Sequence, residues 1–176
     1  MRNRRLLLGA MLAALVAAAC SLVSGQITFT QDFGSGLASP DKTVHFIACD
    51  LSDNEDYQDH KDQIKSVEAF GFFVTVQNLG DDEAKGELWL SMESLGETPT
   101  IAAIQAGATQ IVGNANLGTG ETRTINFEES QAYIMNLDAI EEAVQEGTFY
   151  LYGITSMGSQ VEYTDLNVVI TVNVEL

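Results

Sequence analysis

Apolar and polar residues alternate with a period of two along several separate stretches of this chain. Phe72, Val74 and Val76 alternate with Phe73, Thr75 and Gln77, and Gly86, Leu88, Leu90 and Met92 alternate with Glu87, Trp89, Ser91 and Glu93. Val168, Ile170, Val172 and Val174 share one face of the last run. Successive side chains of a strand point to opposite faces, so each stretch predicts a half-buried strand. The first two flank a polar loop, Leu79 to Glu83, and together predict a hairpin with one buried face. Further strands are predicted over 43–51, 109–112, 122–127 and 148–156. "QITFTQDF" alternates like a strand, whereas "GSGLASP" after it reads as turn or linker material.

A second spacing marks the helices. Tyr133, Leu137, Ile140 and Val144 recur at helical intervals, and Gly147 follows them, so a helix is expected over Leu137 to Glu146 with an earlier turn from Gln131. Thr98-Pro99 reads as a cap followed by proline at the first helical position, with Ile101, Ile104 and Ala108 on one face. Ser52 and Glu55 form a capping-box pair ahead of a short helix at about 54–63. Many strands with short helices only in the connections predict an all-β, two-sheet antiparallel sandwich.

The first residues have a different character. Three arginines lie within Met1 to Arg5, and Leu6 to Ala19 carry no charge. Fourteen apolar residues are too few to span a bilayer, which takes about 20. The pattern is that of a secretory signal over residues 1–19. Cleavage after Ala19 and cleavage before Gln26 both have small residues in the required places. A third reading uses the cysteine itself. Val16-Ala17-Ala18-Ala19-Cys20 resembles the lipobox of bacterial lipoproteins, with Ala17 where leucine is usual. The resemblance implies acylation of Cys20 and a membrane anchor of several chains, and it is the reading favoured here. It implies a location at the cell envelope, in the outer membrane of a Gram-negative host; the alternative is a secreted or periplasmic soluble protein. Residues 20–41 then form a tether that includes a candidate first strand, and 42–176 the sandwich domain. Cys49 is alone if Cys20 is acylated or lost with the signal. The two could pair only if Cys20 stays as a free thiol.

Charge narrows the partners. After Ala19 the chain keeps all 25 acids and five bases, Lys42, Lys61, Lys65, Lys85 and Arg123, a balance of 5 − 25 = −20. Such a surface repels nucleic acid. The expected partners are the membrane, through the N-terminal lipid, and envelope proteins or glycans.

At the predicted hairpin the chain meets a family pattern. "FFVTVQNLGDDEAKGELWLS" resembles the V-x-V-x-N-x-G…A-x-G pattern of bacterial immunoglobulin-like domains of the cell-adhesion-related (CARDB) type, through Val74, Val76, Asn78, Gly80, Ala84 and Gly86. The resemblance implies an immunoglobulin-like sandwich of about eight strands with two or three short helices. It also implies a loop-shaping role for the asparagine and glycine.

Candidate chemistry is sparse. The two histidines, His45 and His60, lack metal-ligand spacing, and no nucleophile elbow, phosphate loop or zinc motif appears. No cofactor is expected. Asp50, Asp53, Glu55 and Asp56 are weak calcium candidates without an EF-hand register, and helix capping accounts for half of the acidic cluster they form with Asp59 and Asp62. Phe73, Trp89, Tyr150 and Tyr152 fall opposite the inferred core and form a candidate ligand face; the reading favoured here is that the helices at Pro99 and Leu137 cover it, leaving Trp89 mostly buried. The expectation is a non-enzymatic envelope lipoprotein, a structural or binding module. A carbohydrate- or ligand-binding module and a hydrolase with an unrecognised site are the alternatives.

Overall fold

The computed structural model describes residues 24–38, 44–156 and 159–175. The signal, Cys20 and the rest of the expected tether before Ser24 lie outside the described residues. No helix among the described residues is long and apolar enough to cross a membrane.

Among the described residues, eight strands form two antiparallel sheets. They are β1 (Ser24–Ala38), β2 (Val44–Asp50), β3 (Ile64–Asn78), β4 (Ala84–Ser91), β5 (Thr109–Leu117), β6 (Thr122–Ile125), β7 (Thr148–Thr155) and β8 (Val161–Glu175). Sheet I has the order β1-β8-β3-β6 and sheet II the order β2-β7-β4-β5. The pairs are nested: first strand with last, second with seventh, third with sixth, fourth with fifth. A long hairpin turning between β4 and β5 and then rolled over gives this order, which is the jelly-roll form of the sandwich.

The all-β antiparallel sandwich is as the alternation predicted; its strand order differs from the ABED/CFG order of an immunoglobulin constant domain. β3 and β4 are not a hairpin, because they lie in different sheets and the 79–83 loop crosses between them. Asn78 shapes that loop from a fully buried position. Its amide donates to the carbonyls of Asp82, Leu117 and Gly118, and its Oδ1 accepts the Gly80 N–H. The "GSGLA" segment read as turn material belongs to β1. Gly34, with φ of 68°, lies where the β1 register shifts against β8, and the Tyr163 ring lies against Gly36 where a Cβ would stand.

The four helices are α1 (Glu55–His60), α2 (Ile101–Gly107), α3 (Phe127–Ser130) and α4 (Leu137–Glu146). Helix α4 has the predicted bounds and ends on Gly147 in the left-handed region, φ 80°. The capping box predicted at Ser52 is replaced by two separate caps. Asp50 accepts the Ser52 N–H ahead of a 3₁₀ turn, and Asn54 accepts the Tyr57 N–H ahead of α1. Helix α2 starts two residues later than Thr98-Pro99 suggested, on a Thr100 cap.

The main core fills one end of the sandwich. Ile170, Val172 and Val174 of β8 are buried between Phe29, Val67 and Phe70 in their own sheet and Leu90, Phe149 and Leu151 opposite. Helices α1 and α4 plug this end with Tyr57, Ile140, Ala143 and Val144. Helix α4 also solves an edge problem. β6 pairs only with Val74–Gln77, so the first part of β3 has no strand beyond it. Side chains from the β6–β7 connection take its backbone groups instead. Phe72 N–H donates to Ser130 Oγ (3.0 Å), and Phe70 C=O accepts from Gln131 Nε2 (2.6 Å). Val67 N–H donates to Glu141 Oε2 (3.0 Å), and Lys65 C=O accepts from Gln145 Nε2 (3.3 Å). The step from residues 65 and 67 to 70 and 72 follows the bulge in β3 between Val67 and Ala69.

Ser130→Ala is expected to destabilise the fold by about 1–3 kcal/mol, because it strands the Phe72 N–H at a buried edge. Urea denaturation checks this. Glu141→Gln keeps an acceptor for Val67 and should cost clearly less than Ser130→Ala.

Candidate functional site: a cleft between the sheets

Away from the helical plug the facing side chains no longer fill the space between the sheets, although Asn78 still donates to the Leu117 carbonyl and Arg123 to the Asn116 carbonyl across it. Inner-face residues that continue the core stripe become only half-buried: Phe72 and Val76 on β3, Val161 and Tyr163 on β8, Ile47 on β2, Leu88 on β4. They line part of a cavity of about 780 Å³ that also extends to Val44, Phe46, Glu87, Glu97, Thr98 and Pro99 on the outer side of sheet II; its size is within the range of small-molecule sites. A smaller cavity of about 170 Å³ adjoins it and shares Phe72, Val74, Val76, Gly86, Ala115, Thr155 and Val161.

Residue size explains the gap. Sheet II presents Gly86, Ala115 and Gly153 on its inner face, opposite larger apolar residues of sheet I. Sheets pack about 10 Å apart only when side chains from both faces fill the space. A Cβ built on Gly86 would meet nothing closer than the Ala115 carbonyl oxygen at 3.7 Å. One on Gly153 would meet His45 Cβ at 3.6 Å. Both are ordinary contacts, so these glycines leave room that a side chain could occupy.

The smaller cavity is bordered by a polar cluster. Arg123 Nε and Nη2 donate to Glu121 Oε1 (3.0 and 2.5 Å), and Nη1 donates to the Asn116 carbonyl and the Tyr133 hydroxyl. The Gly118 N–H, and then Arg123, hold the Glu121 carboxyl below its ordinary range. The bond to Glu121 raises Arg123 further. The wider cavity is walled mostly by carbon, with His45, Thr155 and Tyr163 among its few polar side chains.

The four rings of the expected ligand face do not form one surface. Phe73 is on the outer face of sheet I and 46% exposed, whereas Trp89, Tyr150 and Tyr152 are on the outer face of sheet II. Helix α2 and the segment before it cover the second group. Ile104 and Tyr152 are fully buried there, packed with Leu95, Ala108, Trp89 and Tyr150. The Tyr152 hydroxyl accepts the Leu95 N–H (2.8 Å), and Trp89 Nε1 donates to Glu87 (2.9 Å). Phe46 stacks on Tyr150 with centroids 6.0 Å apart. Of the two helices expected over this face, α2 lies there, while α4 goes into the main core because its apolar stripe meets Val67, Phe70 and Phe149.

The acidic candidates serve the backbone. Hydrogen bonds from Ser52 hold the Asp50 carboxyl below its ordinary range, and Asp53, Glu55 and Asp56 lie in first turns of helical segments. Among the described residues, no three His, Cys, Asp or Glu side chains converge into a metal-binding group. Burial pushes the Cys49 thiol up to about 12, so it stays protonated at neutral pH. The sequence reading missed the cleft. Its available signal was glycine at inner-face strand positions, where an absent side chain marks a bend, a close approach or a space.

Ile104→Ala is expected to cost about 2–5 kcal/mol and to shift Trp89 emission to the red, since it removes the fully buried centre of the α2 contact. Chemical denaturation and fluorescence report the two effects.

No family model matches the chain, and no curated protein matches it. Similar solved structures include infectious bursal disease virus Gx strain (10% identity over 86% of this chain and 32% of that one, TM-score 0.39). Desmodium yellow mottle tymovirus is another (10% identity, 87% and 88% covered, TM-score 0.38). A third is dimeric latent PorU from Porphyromonas gingivalis (12% identity, 88% and 13% covered, TM-score 0.29). The chain spans about a third of the length of the first of these. At such scores the architecture rests on the strand order and register of the chain itself.

Proposed function

We propose that the mature chain is a non-enzymatic envelope module, anchored through an acylated Cys20, that holds a small apolar ligand between its two sheets. The observation that carries the binding part is the cleft of about 780 Å³, with a small-residue floor and a wall mostly of carbon. Burial of apolar surface is the favourable term such a site offers, roughly 25 cal/mol per Å² removed from water. The cover of α2 over Trp89, Tyr150 and Tyr152 takes support from the alternative, an open sugar platform. The anchor rests on the apolar run ending at Cys20 and its lipobox-like residues.

The ligand part is tested with Nile red on the full chain carrying Cys20→Ser, which removes the acyl acceptor. Saturable uptake with a blue shift is expected. Gly86→Leu and Ala115→Leu, each filling the floor, should reduce it at least tenfold while the melting curve by circular dichroism is kept. Uptake unchanged in both variants would remove the cleft from the proposal. The anchor is tested by fractionation. Wild-type protein should sediment with membranes and take up a palmitate analogue, whereas Cys20→Ser should do neither.

A further inference from the structure

The polar groups of the cleft are few, and one of them is out of place. Thr155 Oγ1 is buried, and among the described residues it has no hydrogen-bond partner. Thr155 borders both the wide and the narrow cavity, so it stands at their junction. A hydroxyl shut away without a partner pays the loss of its water. A 120° turn about χ1 carries the hydroxyl of threonine into the place held by its methyl or its hydrogen, and more than one χ1 well is open to it in a strand. A rotamer that brings the oxygen to the cavity wall lets it both donate to and accept from an occupant.

Charge restricts what the hydroxyl meets. Among the described residues bordering the wide cavity there is no lysine or arginine, and its two acids, Glu87 and Glu97, border it on the outer side of sheet II. The two bases near the narrow cavity are Lys85 and Arg123, and Arg123 is already held by Glu121. The mature chain is strongly acidic. A carboxylate or phosphate head would therefore lose water without gaining a counter-charge in the wide cavity.

Resting on the proposed ligand cleft, we infer that its occupant is a neutral amphiphile: a hydrocarbon body bearing one hydroxyl or similar uncharged hydrogen-bonding group, which meets Thr155 Oγ1. An alkanol is the simplest member of this class. The body lies against Phe72, Val74, Val76 and Val161, over Gly86 and Ala115.

Displacement of Nile red from the full chain carrying Cys20→Ser tests this at pH 8, with 1-dodecanol, 1-chlorododecane, dodecanoate and dodecyltrimethylammonium as competitors below their micelle concentrations. Dodecanol should bind at least tenfold more tightly than dodecanoate and more tightly than either other competitor. Thr155→Val keeps the shape and removes the oxygen. It should weaken dodecanol about three- to tenfold, leave chlorododecane unchanged, and leave the free protein at least as stable. Equal affinities for dodecanol and dodecanoate would overturn the inference while leaving the cleft reading in place. So would tighter binding of the cationic competitor, or equal weakening of dodecanol and chlorododecane by Thr155→Val. Nile red uptake that survives Gly86→Leu and Ala115→Leu would overturn the cleft reading and the inference together.

Discussion

Tyr57 makes the contact on which the rest of the molecule depends. Its ring meets Phe29 of sheet I edge-on, with centroids 5.7 Å apart. Its hydroxyl donates to the Val144 carbonyl (2.9 Å). That carbonyl lies in the last turn of α4, where the helix itself supplies no donor. One side chain thus joins a sheet edge, the segment leaving β2 and the helix that closes the interior. Burial raises the pKa of its phenol, and the nearby acids Asp50, Asp62 and Glu146 add to that, so the donor form persists well into alkaline solution.

With that end locked, the other can stay open. The core of Ile170, Val172, Val174, Ile140 and Val144 packs the sheets at that end, whereas around Gly86 and Gly153 small residues leave space between them. A sandwich filled evenly from end to end would have no space for a ligand. One with no plug would have too small a core to hold its sheets. The uneven filling gives a stable wall next to an unfilled volume, the arrangement a binding site needs.

The sequence made some of this legible and hid the rest for physical reasons. Helix α4 was readable because Leu137, Ile140 and Val144 share a face and Gly147 stops it. The inner face of β3 was readable because Phe72, Val74 and Val76 alternate with exposed or outward residues. Alternation says which face a residue takes and nothing about which strand lies beside it, so β3 and β4 looked like a hairpin although each pairs elsewhere. The glycines of β1 looked like a turn because their role depends on Tyr163, 127 positions beyond Gly36. The cleft was hidden for the same reason. Gly86, Ala115 and Gly153 are unremarked singly, and become a floor only when three strands bring them together.

The nested strand order also has a consequence in time. Ser24 pairs with Glu175, and every residue of β1 that pairs does so with β8. Contacts this distant in sequence form late and slowly, because the entropy of closing the loop is lost before any pairing is gained. The edge strand β1 therefore joins sheet I only once β8 is present.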